Sequence, residues 1–164
     1  MLIDPTAKIK TLAELKSLLP SAQAHGRKVV FTNGCFDLIH VGHVRYLQGA
    51  KAYGDLLVVA LNSDVSVRAI KGPGRPIQSA AARAEIVGSM KCVDYVVLFD
   101  TPTVDHLLCE LHPDVHAKGT DYTTETVPER ETVRSYSGQV AIVGDPKLHS
   151  TRDLIELILA KFRP

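Results

Sequence analysis

Apolar residues along this chain follow two alternating patterns. From Thr11 to Leu19, Leu12, Leu15, Leu18 and Leu19 recur at helical intervals. Thr11 stands as N-cap with Glu14 three residues on, a capping box ahead of an amphipathic helix that is expected to stop at Pro20. KVVFTNG (28–34) is instead an unbroken apolar run rich in β-branched residues and closed by turn formers. DLLVVALNSD (55–64), VDYVVLF (93–99), DVHAKG (114–119) and QVAIVGD (139–145) are of the same type. Helical patterns separate these runs, from about Gly42 to Ala52, Ser79 to Met90, Thr103 to His112, Glu129 to Tyr136 and Thr151 to Phe162. KGPGRPIQ (71–78) carries too much Gly and Pro for regular structure and is expected as a loop, with Lys71 on it.

Strands that are apolar on both faces and joined by helix-length crossovers belong to a parallel sheet covered on both sides. The expectation is therefore an α/β fold, a single doubly wound domain with a five-stranded parallel sheet. A helical extension over residues 1–27 precedes the domain proper at 28–164. Ligands of such folds lie beyond the carboxyl ends of the strands, where the strand order reverses.

Composition narrows the partners. With 164 residues, a net charge of +1 and 45% apolar residues, the chain is not the polybasic kind that binds nucleic acid or a membrane surface by charge. Cys35, Cys92 and Cys109 are odd in number and form no CxxC pair, against a disulfide framework or zinc staple. The start lacks a signal-peptide core, and no apolar run approaches the ~20 residues that span a bilayer. A cytoplasmic location is expected.

The strand ends supply the candidate chemistry. After the first run comes NGCFDLIHVGH (33–43); after the second, Asn62, Ser63 and Asp64, then Arg68 and Lys71. After the fourth come Lys118, Gly119, Thr120 and Asp121, and after the fifth Lys147, His149, Ser150, Thr151 and Arg152. Cationic and polar groups at four strand ends suit an anionic ligand lying across the sheet edge. His40 and His43, three apart at a helix start, share one face, and the free N–H groups there favour phosphate. Gly42 keeps the space between the rings open. Taken alone, the pair reads more readily as two satisfied histidines at a helix cap than as a site; a zinc pair fits the spacing less well. His25, His106 and His112 read as surface residues, His116 as a satisfied buried histidine, and His149 as either a cap or a site residue.

TNGCFDLIHVGH, followed by NSDVSVRAIKG (62–72), Arg83, KGTDY (118–122) and Ser150-Thr151, resembles the HxGH nucleotidyltransferase superfamily, of the cytidylyltransferase-like kind. The match runs in order over residues 28–158. Within that superfamily, FTNGCFDLIHVGHVRYLQGAK, KGPGRPI and PDVHAKGTDY are most similar to the adenylyltransferases that make ADP-heptose from ATP and D-glycero-D-manno-heptose 1-phosphate. The family often carries Ser-Thr-Thr at its last helix, where Arg152 stands here, so the role of Arg152 is open.

The resemblance implies a Rossmann-like sheet and transfer of AMP from ATP to a sugar 1-phosphate. Mg2+ would arrive on the ATP phosphates, with no dedicated protein metal ligands. It implies His40, His43 and Lys71 as catalytic residues. It implies Asn33, Gly34, Cys35, Phe36, Asp37, Arg83, Lys118, Gly119, Asp121, Ser150 and Thr151 as nucleotide-binding. A homo-oligomer is compatible with it. Arg83 has a plainer alternative, a helix charge paired with Glu85 or Asp94, and Lys118-Gly119 and Asp121 one as simple turn residues. A cytidylyltransferase acting on glycerol 3-phosphate would use the same histidines. A non-enzymatic nucleotide sensor would have less use for all three catalytic residues, and an NAD-binding domain lacks its GxGxxG turn.

Overall fold

Five strands form one parallel sheet in the computed structural model, which describes residues 4–146 and 148–162. They are β1 (Val29–Gly34), β2 (Leu56–Asn62), β3 (Tyr95–Phe99), β4 (Val115–Gly119) and β5 (Gln139–Val143), in the order β3-β2-β1-β4-β5. Their helices are α1 (Leu12–Ala24), α2 (Val41–Lys51), α3 (Asp64–Lys71), α4 (Ala80–Gly88), α5 (Asp105–Leu111), α6 (Arg130–Ser135) and α7 (Thr151–Phe162). The expected α/β architecture, parallel throughout, is what the chain adopts.

Two cores sandwich the sheet. Val30, Leu57, Val59, Val96 and Ala117 pack against Leu47 and Ala50 of α2 and Ala84 and Val87 of α4. The alternate residues Val29, Phe31, Val58, Ala60 and Val97 meet Leu15 and Leu19 of α1, Leu107 and Leu108 of α5, and Val133 of α6. Every residue of β2 is buried, the pattern of a strand covered on both faces. Burying each Leu side chain contributes about 2 kcal/mol. Because Leu15 and Leu19 are fully buried, α1 forms part of the same core as the sheet.

Two expectations change. Helix α1 does not stop at Pro20 but continues to Ala24. Proline there forfeits one helical hydrogen bond, yet Pro20 is exposed and the last turn still bonds back through His25 and Arg27 to Ser21 and Ala22 carbonyls. The capping box of Thr11 and Glu14 is formed as expected. The second change is α3, an unforeseen helix between β2 and the glycine loop. Ser63 caps it by accepting from the Ser66 N–H at 3.2 Å. Lys71 is consequently the last residue of a helix rather than part of the loop. Val65, Val67 and Ile70 are poor helix formers over so short a span, which is why the pattern did not announce it.

The strand order reverses between β1 and β4. The chain passes from β1 to β2 and β3 on one side, then returns to place β4 and β5 on the other. That divergence opens the crevice at the carboxyl ends of β1 and β4.

Candidate active site

The turn after β1 is built around Phe36, whose backbone is left-handed (φ 47°). This turns its ring back over Gly34, where a Cβ would lie 2.9 Å from Phe36 Cε2. The buried ring ends 5.3 Å from that of His43. Asp37, next in sequence, is buried. Its carboxylate accepts from Arg75 Nε at 2.6 Å and from the N–H groups of Ile77 (2.8 and 2.9 Å) and Gln78 (2.9 Å). Burial alone would raise its pKa, but those backbone donors and the Arg75 charge hold it below the usual carboxylate range. Asp37 thereby fastens the Gly/Pro loop to the turn.

His40 is the N-cap of α2 and His43 its third residue. Their rings stack with centroids 3.8 Å apart and planes 27° from parallel. The His40 N–H donates to His43 Nδ1 at 3.4 Å, which leaves His43 Nε2 as the ring's proton carrier. Burial, and then the neighbouring His40, push the His43 pKa down to about 4; burial and then His149 also lower that of His40. Both shifts favour the uncharged imidazole, the form in which the two rings stack without charge repulsion. His40 Nδ1 is buried without a partner. A Cβ on Gly42 would sit 3.0 Å from the His40 ring, so glycine there is what lets the ring lie as it does.

Helix α7 begins beside this pair. The His149 ring lies 6.3 Å from that of His40. Ser150 Oγ accepts from the Asp153 N–H at 3.0 Å, a capping contact. The Thr151 hydroxyl donates to the Leu38 carbonyl at 3.1 Å, tying α7 to the approach to the histidines. Two helix N-termini therefore converge, both with positive dipole ends. Arg152 is exposed, and Lys147 lies outside the described residues.

Arg83 is completely buried. It pairs with neither Glu85 nor Asp94: its guanidinium donates to Gln78 O (3.0 Å), Cys35 O (2.6 Å) and Asp64 Oδ1 (2.8 Å). It clamps the β1 turn, the loop and the start of α3 together. Asp94 instead pairs with Lys51. The half-buried Cys35 thiol lies 3.8 Å from Asn62 Oδ1. Burial raises its pKa against the opposing charges of Lys71, Arg83 and Arg75. Lys71 itself is exposed at the end of α3.

At the end of β4, Lys118 and Glu129 form a buried pair that the sequence did not single out. Lys118 Nζ lies 3.4 Å from Glu129 Oε1, 3.3 Å from Oε2 and 3.3 Å from Asn33 Oδ1, with the Tyr122 ring centroid at 5.1 Å. His116, buried as expected, meets Asn33 Oδ1 through Nε2 at 3.1 Å. Burial and then Lys118 depress its pKa to about 3. Gly119 ends the strand, and Asp121 is exposed in the turn beyond. His25, His106 and His112 are exposed. A cavity of about 320 Å³ lies at the start of β5, lined by Gly138, Gln139 and Val140 with Thr124 and with Arg130 and Arg134, which are engaged with Glu125 and Glu131.

The turn after β1, the histidine pair, the α7 start and the β4 end thus come together at the reversal of strand order, as ordered matches along the sequence suggested. Glu129 was missed because its partner Lys118 is 11 residues away and an acidic residue ahead of a helix reads as an ordinary cap.

Comparison with known proteins fits this geometry. The family model described as cytidylyltransferase-like matches residues 31–158. The chain is 50% identical over 97% of its length to the bifunctional protein HldE of Geobacter metallireducens, and 49% identical over 95% to that of Geobacter sulfurreducens. It spans about a third of the length of these curated relatives (32% in each). Among solved structures, the lipopolysaccharide core biosynthesis protein of Thermoplasma volcanium superposes with a TM-score of 0.60 at 29% identity, covering 72% of this chain and 95% of that one. Pantothenate synthetase of Thermus thermophilus (TM-score 0.59, 18% identity, 83% and 61% covered) shares the fold. On the match over residues 31–158 and on the HldE relatives, the chain belongs to the cytidylyltransferase-like family.

Proposed function

We propose that this chain transfers AMP from ATP to D-glycero-D-manno-heptose 1-phosphate, releasing pyrophosphate and forming ADP-heptose. The observation that carries this reading is the stacked His40–His43 pair at the α2 N-terminus, facing the N-terminus of α7. The HldE relatives and the lipopolysaccharide core biosynthesis protein point toward a heptose substrate rather than an alcohol phosphate.

In this reaction an oxygen of the sugar 1-phosphate forms a bond to the α-phosphorus of ATP while the bond to the β-phosphate oxygen breaks. The nucleophile is already an anion and needs no strong base. Catalysis rests on alignment and on donors aimed at charge that develops during transfer. The Nε2–H of His43 and the His40 ring supply such donors without first losing a proton. As the phosphates arrive, their charge favours imidazolium and strengthens the same contacts. The two helix N-termini hold the β- and γ-phosphates, through the Ser150 hydroxyl and the free backbone N–H groups of the first turn, that of Thr151 among them. Lys71, exposed at the end of α3 and followed by the anchored loop, reaches the α-phosphate and the incoming phosphate as a flexible point charge. Asn33, Gly34, Cys35 and Phe36 line the nucleotide, while Asp37 and Arg83 shape that wall through the contacts described above.

Among the described residues no group of three or more His, Cys, Asp or Glu is arranged to hold a metal ion. The groups placed at the phosphates in this reading are imidazoles, hydroxyls, a lysine and backbone N–H groups rather than carboxylates, so Mg2+ would be held through the ATP phosphates, where it would offset their charge. No helix among the described residues is long and apolar enough to cross a membrane.

The test is pyrophosphate release with ATP or CTP against a panel of sugar and alcohol phosphates. Turnover with ATP and the heptose 1-phosphate is expected. Turnover confined to CTP with glycerol 3-phosphate would replace this reading with the cytidylyltransferase one.

A further inference from the structure

The buried pair at the end of β4 has an unusual arrangement for a phosphate site. Lys118 is 7% exposed and Glu129 5%. Their contacts of 3.3–3.4 Å are long beside the ~2.8 Å of a closed ammonium–carboxylate hydrogen bond. Glu129 Oε2 is buried with no aligned hydrogen-bond donor, a state that folded proteins seldom leave unfilled. Asn33 Oδ1 is occupied by Lys118 and His116, which leaves its Nδ2 as a donor at the β1 end. The cluster stands where the strand order reverses.

We propose that Glu129, Lys118 and Asn33 form a subsite that reads a sugar hydroxyl rather than a phosphate. A carboxylate beside the ammonium repels an anion. A hydroxyl suits the pair because it can donate to Glu129 Oε2 and accept from Lys118 Nζ at once. Asn33 Nδ2 adds a donor for an adjacent oxygen. Tyr122, with its ring 5.1 Å from the ammonium, covers the cation on another side. His116 acts behind Asn33 as a positioning residue. The inference rests on the transfer reaction proposed above in one respect, that a substrate bearing a sugar occupies these strand ends. The hydroxyl belongs either to the acceptor sugar or to the ribose of the nucleotide.

Calorimetric binding separates the two sources and needs no turnover. The ligands are ATP, 2′-deoxy-ATP and 3′-deoxy-ATP in one arm, and heptose 1-phosphate with its monodeoxy analogues in the other. In the wild-type protein, removal of one hydroxyl is expected to raise Kd tenfold or more, because it strands buried polar groups. In Glu129→Gln the same removal is expected to change Kd less than threefold. The arm in which the loss appears identifies the sugar. If every deoxy ligand binds the wild type within threefold of its parent, or if the loss persists unchanged in Glu129→Gln, the proposal is overturned. Lys118→Met supplies a check that does not depend on Glu129→Gln folding. A tenfold or greater weakening of pyrophosphate binding in that variant would make this a phosphate subsite and overturn the proposal. Absence of transfer to heptose 1-phosphate would overturn the reaction assigned above and leave the ribose arm readable.

Discussion

The imidazole of His43 stacks on that of His40 at 3.8 Å and accepts the His40 backbone N–H on its Nδ1. The backbone bond fixes the His43 tautomer, and the stack sets the angle between the two rings. Gly42 is the residue that permits it, since a Cβ there would press on the His40 ring at 3.0 Å. Gly42→Ala is expected to displace that ring and lower kcat at least tenfold. The melting temperature should change little, because alanine is the better helix former. Wild-type kcat in a stable variant would show that the ring position does not matter.

Arg83 makes a different prediction. Its three acceptors lie on three segments of chain, and only a planar fork reaches them together. Arg83→Lys is expected to lose about 3 kcal/mol of stability, by leaving buried carbonyls and Asp64 without donors. Urea denaturation measures this, and a loss below about 1 kcal/mol would mean the clamp is dispensable.

Asp37 anchors the glycine loop through backbone N–H groups of Ile77 and Gln78. Asp37→Ala is expected to release residues 72–78, seen as faster amide exchange and proteolysis there. Activity should fall because the loop adjoins Lys71. Unchanged exchange at Ile77 and Gln78 would contradict the anchoring role.

The buried histidines set an acid limit on stability. His43 and His116 have folded pKa values of about 4 and about 3, against 6.5 in the unfolded chain. Below pH 6.5 the unfolded state takes up protons that the folded state refuses. Their contribution is therefore intact above pH 6.5 and is lost as pH falls through the folded values. The predicted loss between pH 7 and pH 4 is on the order of a few kcal/mol. His116→Gln should flatten the slope of stability against pH; an equally steep slope would remove His116 as a cause.

Much of the architecture was legible because it is local. Thr11 and Glu14 are three residues apart and spell out their own cap; α7 begins and ends at Thr151 and Phe162 as its apolar spacing indicated. The histidine pair is local too, but its spacing alone favours a cap, and only the ordered motifs around it single it out as a candidate site. The roles of Asp37, Arg83 and Glu129 were not legible. Asp37 bonds to residues about 40 positions away, Arg83 reaches back to Cys35 across 48, and Asn33 meets His116 across 83. Such partners are set by strand order, which periodicity does not encode. Pro20 misled because a proline costs a helix one hydrogen bond and a steric clash without always ending it; here the turn beyond it still bonds back to Ser21 and Ala22.

The central claim is that the histidine pair drives adenylyl transfer to a sugar 1-phosphate. It is tested most directly by following label from ATP carrying 32P at the α-phosphate, with heptose 1-phosphate as acceptor. The wild type should move the label into a nucleotide-sugar. His40→Ala and His43→Ala, folded by circular dichroism, should each do so about a hundredfold more slowly. Labelled product formed at near wild-type rates by either variant, or no labelled product from the wild type, would contradict the account.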